Sequence, residues 1–165
     1  MSMFKMILVP VDGSAPSDAA VALAVRLARD QDAKVVFTHV CEVAKIAAMM
    51  SAPAVSIDPS YALEAEREAG EAALQDAVDR AKGGGIDANS CIEEGSCVDT
   101  ILTVARQHKA DLIVIGSHGR SGLARALLGS IAEGVLRHSK VPVLVTRASE
   151  TVTVGQREMW GFSVT

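Results

Sequence analysis

The stretch whose residue types and spacing can do chemistry is Gly116-Ser117-His118-Gly119-Arg120-Ser121-Gly122, followed by Gly129-Ser130. It leaves a continuous apolar run, Asp111-Leu112-Ile113-Val114-Ile115, and leads into a helical pattern from Ser130 to His138. Glycine lets backbone approach a bulky anion and adopt positive φ. Gly116 and Gly119 can therefore line the loop with amides. Gly129 opens a helix whose first amides lack internal partners and carry partial positive charge, a ready seat for phosphate. Arg120 and Arg125 can add charge to it. Ser130 and Glu133 have the spacing of a capping box, which would compete for the same amides unless the Ser130 hydroxyl serves cap and ligand in turn or the ligand uses the amides alone. A glycine-rich surface connection is the alternative reading. The stretch is neither a Walker A loop nor a dinucleotide fingerprint, because GxxxxGK[ST] is absent and no GxGxxG follows the first apolar run.

Few other residues suggest chemistry. His118 lies inside the loop, as a lining residue, an exposed one or a charge switch beside phosphates. His39 closes a strand-like run and is expected to pack. His108 and His138 fall near helix C-termini, where positive charge suits the helix dipole. No histidine has a partner at metal-ligand spacing, so no metal site is expected from protein side chains. No GxSxG or paired-carboxylate motif provides a nucleophile with its base. The cysteines, Cys41, Cys91 and Cys97, are odd in number with no CxxC pair, and read as free thiols of a reducing cytosol.

The elements that must position the loop follow from periodicity. Met6–Val11 is a short apolar run ending in the turn signal Asp12-Gly13-Ser14. Ser14 can cap a helix and Pro16 suits its first turn. Ala20, Leu23, Ala24, Leu27 and Ala28 then recur on one helical face. Lys34–Val40 is a β-branched strand. Residues 41–60 show no clean period. A helix begins near Ser60 or Tyr61, with Gly70, Leu74, Ala77, Val78 and Ala81 inward, and stops at Gly83-Gly84-Gly85. Ile86–Glu94 is a third strand, a helix follows from Gly95-Ser96, and Val141–Thr146 lies in the last strand. Alternating strands and helices imply one parallel sheet with helices on both faces. Ligands of such sheets bind beyond the strand C-termini, where strand order reverses. Asp12, Val40 and Gly116 all lie there.

Bulk composition bounds the rest. The chain has 165 residues, suited to one domain, and is 49% hydrophobic but only 3% aromatic, so its core is aliphatic. A net charge of −4 gives no electrostatic footprint for nucleic acid. No run approaches the roughly 20 apolar residues that span a bilayer, so no membrane insertion is expected, and the opening residues do not read as a signal peptide. The expected location is the cytoplasm. Residues 148–165 lack a pattern and read as a tail, with Met159, Trp160 and Phe162 its bulky members.

Gly116-x-x-Gly119, nine residues, then Gly129-Ser130 resembles the ATP-binding signature of the universal stress protein family. Ile7–Ser14, Val36–Val40, Ala110–Gly119 and Pro142–Val145 resemble the family's first, second, fourth and fifth strands with their turns, so the likeness spans roughly residues 3 to 147. The resemblance implies a domain over residues 1–147: an open, twisted, five-stranded parallel sheet of order 3-2-1-4-5, Rossmann-like and akin to the adenine nucleotide alpha hydrolases. It implies ATP, with Mg²⁺, in the groove. Pro10, Val11 and Asp12 would lie near adenine and ribose, and the backbone of Val40 would bond adenine. Gly116, Ser117, His118, Gly119, Arg120, Gly129, Ser130 and Ile131 would surround ribose and phosphates. Asp12 would accept from a ribose hydroxyl or the adenine amine, or hold a metal through water; otherwise it is a turn carboxylate. The resemblance further implies a homodimer through the last strand, Val141–Thr146, and a nucleotide-dependent regulator with an unidentified protein partner. Slow hydrolysis or self-phosphorylation, with Ser121 and Ser130 as first acceptors, is compatible with it. The rival readings are an ATP-using transferase or ATPase on a related fold, and a nucleotide-free interaction module.

Overall fold

The computed structural model describes residues 2–50, 59–119 and 128–148. The chain begins with β1 (Met6–Pro10), α1 (Ala15–Gln31) and β2 (Lys34–Cys41). Two helices in succession, α2 (Val43–Met50) and α3 (Pro59–Gly83), lead to β3 (Ala88–Glu94). Then come α4 (Cys97–Gln107), β4 (Leu112–Gly116), α5 (Ser130–His138) and β5 (Val143–Thr146). The five strands form one sheet of order β3-β2-β1-β4-β5, every described pairing parallel.

Side-chain alternation divides the interior into two cores, because successive residues of a strand face opposite sides of the sheet. Ile7, Val9 and Val11 join Val35, Phe37 and Val114 beneath the apolar faces of α1 and α3. Leu8, Val36, Ile113 and Ile115 meet Ile101, Val104, Ala132 and Val135 of α4 and α5 on the other side. Both faces are covered, which explains why β1 and β4 read as unbroken aliphatic runs.

Local signals act where the residue types place them. The Ser14 hydroxyl accepts from the Ser17 amide at 3.3 Å, and α1 ends at Asp32 in the left-handed region (φ 53°). Gly85 takes φ +74° after α3, while the Ile86 amide turns back to the Ala81 carbonyl at 2.9 Å. At the amino edge of the sheet, the Asp111 carboxylate accepts from the amides of Lys5 (2.9 Å) and Met6 (3.2 Å), fastening the start of β4 to the start of β1.

Two expectations change. The region after Cys41, read as patternless, contains α2; its sequence, Val-Ala-Lys-Ile-Ala-Ala-Met-Met, is apolar nearly all round, so no polar face marks a helical period. β3 and β5 begin later than the segments expected for them, at Ala88 and Val143, although the carbonyls of Asp87 and Pro142 already accept from the Val35 and Ile113 amides at 3.0 Å. The tail from residue 149 onward lies outside the described residues.

Asp111 generates the first prediction. Asp111→Ala removes the acceptor of two amides at the sheet's amino edge and is expected to lower unfolding free energy by about 1–3 kcal/mol. Urea denaturation checks this; an unchanged midpoint contradicts the role assigned to the carboxylate.

Candidate functional site at the carboxyl edge

With order 3-2-1-4-5, the chain leaves β1 and β4 toward opposite faces, so a crevice opens between their C-terminal ends. β2 deepens it. Its register with β1 ends at Pro10–Thr38, followed by the Val11 amide bonded to the Thr38 carbonyl at 2.8 Å. β2 continues through His39 and Val40 to Cys41, paired only with β3. The resulting cavity is about 600 Å³, well within the size range of small-molecule sites.

The β4 side is built by close approach. A Cβ at Gly116 would lie 2.8 Å from Pro16 C and Ser17 N, so the end of β4 sits directly on the first turn of α1. The Ser117 amide donates to the Thr146 carbonyl at 2.6 Å, and the Ser117 carbonyl accepts from the Gly129 amide at 2.8 Å. Ser117 thus joins the loop to β5 and to the start of α5. The Ser14 hydroxyl reaches the His118 carbonyl at 3.4 Å, and a Cβ at Gly119 would lie 2.8 Å from the Asp12 carboxylate. The loop after β4 therefore passes over the loop after β1.

The structure corrects the reading of the helix start. Gly129, not Ser130, is the N-cap of α5, and no side chain caps it. Ser130 is the first helical residue, and the Glu133 carboxylate pairs with Arg137 at 2.7 Å one turn on. There is no capping box, hence no competition for the helix amides. The Gly129 amide, which the sequence offered to phosphate, is spent on Ser117. The first intrahelical bond runs from the Glu133 amide to the Gly129 carbonyl at 2.8 Å, so the amides of Ser130, Ile131 and Ala132 precede the ladder. All three residues line the cavity.

His118 stands beside this helix start. Its Nδ1 lies 3.1 Å from the Ser117 hydroxyl, while its Nε2 is buried without a hydrogen-bond partner among the described residues. Asp12 is partly committed: one carboxylate oxygen accepts from the Ser14 amide at 2.9 Å, the turn role its residue type suggests, with Gly13 at φ +75°. Pro10, Val11, Asp12, Val40, Gly116, His118, Gly119, Gly129, Ser130 and Ile131 all line the one cavity, with Ser117 buried behind it. Arg120, Ser121 and Arg125 lie outside the described residues.

Sequence reasoning missed a second group of lining residues: Ser17, Glu42, Ile46, Glu66, Cys97 and Ile101. Glu66 had one usable signal, its position four residues before Gly70, which places it on the inward face of α3. Cys97 had another, as the first residue of α4. The three cysteines are free thiols, and burial pushes the Cys91 thiol upward against the smaller opposing effect of the Thr38 hydroxyl. Among the described residues, no three His, Cys, Asp or Glu side chains cluster in a metal-binding arrangement. No described helix is long and apolar enough to cross a membrane.

Fold and crevice together define an open α/β domain with a cavity at its topological switch point. The chain belongs to the universal stress protein family, whose profile matches residues 3–147. It is 35% identical over 148 residues to Universal stress protein MJ0531 of Methanocaldococcus jannaschii, covering 88% of this chain and 84% of that one. Among solved structures, a universal stress protein family member from Burkholderia pseudomallei is 33% identical with a TM-score of 0.70, over 88% of this chain and 97% of that one. A universal stress protein solved in complex with cAMP is 32% identical with a TM-score of 0.62, over 90% of this chain and all (100%) of that one.

The contact at Gly116 makes the second prediction. Gly116→Ala sets a methyl group against backbone of α1 and is expected to cost about 1–3 kcal/mol of stability. Thermal and urea unfolding measure it; a fully stable variant shows that the approach of β4 to α1 is not constrained.

Proposed function

We propose that this chain binds ATP in the carboxyl-edge crevice and acts as a nucleotide-dependent regulator of the stress response, with at most slow turnover. The observation that carries this reading is the convergence on one cavity of the first-turn amides of α5 with the Nε2 of His118, which has no hydrogen-bond partner among the described residues. Amides at a helix start attract anions, and a buried imidazole nitrogen without a partner costs about 1–3 kcal/mol until a ligand supplies one. The complex of a related protein with cAMP supports an adenine nucleotide as the ligand class.

Charge gives the nucleotide a direction. Glu42 and Glu66 line the cavity on the β2 side, away from the helix start. Carboxylates there repel phosphate and accept from amine and hydroxyl donors. Base and ribose therefore belong near Pro10, Val11, Asp12 and Val40, with phosphates at Gly116, His118, Gly119, Gly129, Ser130 and Ile131, and Ser117 holding the loop beneath them. Arg120 is assigned to the phosphates on the signature alone. With no cluster of protein ligands among the described residues, Mg²⁺ is assigned to the phosphate oxygens, where it would neutralise charge. ATP bound across both loops would favour one arrangement of the loop surface over others, which is how it would signal to a partner protein.

The domain is assigned to the cytoplasm, and to a homodimer through the open edge of β5. Among the described residues that strand pairs only with β4, and it carries the exposed Leu144 (38%).

The test is to denature freshly purified protein and identify released small molecules by liquid chromatography and mass spectrometry. Near-stoichiometric adenine nucleotide, with ATP persisting over hours, is expected. Protein that is empty and takes up no added Mg-ATP overturns the proposal, and rapid conversion to ADP transfers it to an ATPase. His118→Leu is expected to weaken ATP about 10- to 100-fold by titration calorimetry, the equivalent of one hydrogen bond to a charged group. Unchanged affinity removes His118 from the site.

A further inference from the structure

Ser17 is 3% exposed and is the only residue of α1 on the cavity wall. Its Oγ accepts from the Asp12 amide at 3.2 Å. A serine hydroxyl is also a donor, yet among the described residues that of Ser17 has no acceptor for its hydrogen. The nearby carboxylate of Asp12 takes the Ser14 amide instead, at 2.9 Å. The backbone of this turn has little else to give. Pro16 has no amide hydrogen. The Ser17 amide donates to the Ser14 hydroxyl at 3.3 Å and the Asp18 amide to the Ser14 carbonyl at 2.9 Å. The first turn of α1 therefore meets the cavity with a side-chain donor, where α5 meets it with amides.

We infer that the Ser17 hydroxyl donates to a phosphate oxygen of the ligand, so that the anion is seated between the starts of α1 and α5. The place of Ser17 in the fold supports this. Its amide nitrogen would stand 2.8 Å from a Cβ at Gly116, so the residue lies against the end of β4. From there the chain passes to Ser117, whose carbonyl accepts from the Gly129 amide at 2.8 Å and so reaches the start of α5. The bond received from the Asp12 amide polarises the hydroxyl and makes its hydrogen a better donor. A bond from that hydrogen to an anionic oxygen is charge-assisted. The two helices, of 17 and 9 residues, would then present their positive N-terminal ends to one anion.

The phosphate comes from the nucleotide reading above; the unused hydrogen of Ser17 is a matter of geometry alone. A purely structural Ser17, serving only as acceptor for the Asp12 amide, makes a different demand. It would act through Asp12, and so on the base and ribose as much as on the phosphates. A contribution confined to the phosphates is the mark of the donor.

The test titrates the wild type, Ser17→Ala and Ser17→Cys by calorimetry with Mg-ATP, adenosine and inorganic tripolyphosphate. The cysteine variant fills similar space but offers only a weak donor. Urea unfolding establishes that each variant folds, and Ser17→Cys decides the matter where Ser17→Ala does not fold. Both substitutions are expected to weaken Mg-ATP and tripolyphosphate about 10- to 100-fold, as loss of a hydrogen bond to a charged group does, and to leave adenosine unchanged. Undiminished affinity for Mg-ATP and tripolyphosphate overturns the inference. So does an equal loss for adenosine and Mg-ATP, which returns Ser17 to its structural role. If the wild type takes tripolyphosphate but neither Mg-ATP nor adenosine, and the variants lose it, Ser17 is retained and the nucleotide reading is rejected. A wild type that binds none of the three rejects both.

Discussion

At Gly116 the last residue of β4 presses on the first turn of α1 with no room for a methyl group, and the rest of the crevice is arranged around that approach. It brings the C-terminal ends of β1 and β4 level. Ser117 can then reach both the Thr146 carbonyl of β5 and the Gly129 amide before α5. The Thr146 hydroxyl completes the link by donating to the Pro16 carbonyl at 3.0 Å. Four elements, β4, β5, α1 and α5, are thus joined within a few residues by short contacts, all of them between backbone groups except that of the Thr146 hydroxyl. The backbone contacts cannot be rearranged by rotamer changes, so the first amides of α5 are held toward the cavity. Preorganisation of this kind avoids the ordering cost that weakens binding to flexible loops.

Much of this was legible in the sequence because the signals were local. Ile7-Leu8-Val9 and Ile113-Val114-Ile115 announce strands buried on both faces. Ser14 and Pro16 mark the start of α1, and the glycine triplet marks the end of α3. The loop glycines pointed to the edge at which the cavity lies. What stayed hidden depended on contacts between distant residues. The register of the α5 cap was misread by one position because the spacing of Ser130 and Glu133 imitates a box, whereas the true cap is fixed by Ser117, twelve residues earlier and not itself part of any cap pattern. α2 was hidden by its uniform apolarity. Glu66, half-buried among many acidic residues on α3, had only its spacing to Gly70 to mark it, and its approach to His39 of β2 joins residues distant in sequence.

The cavity is chemically two-sided. One end offers helix amides and an imidazole nitrogen, the other carboxylates and the open margin of β2. This polarity arises from the topology: the donor end belongs to the connection after β4 and the acceptor end to those after β1 and β2. A single sheet edge therefore supplies both halves without a second domain.

The two outer strands differ in a way that bears on how far copies of this domain can associate. β3 is one margin of the sheet, with Asn89, Ser90 and Glu94 exposed along it; β5, the other margin, is short and carries the exposed Leu144. Polar and charged residues on an outer strand discourage addition of another chain. If copies pair through β5 as proposed, a two-fold contact would occupy that margin of both, and the polar margin at β3 would oppose further strand addition.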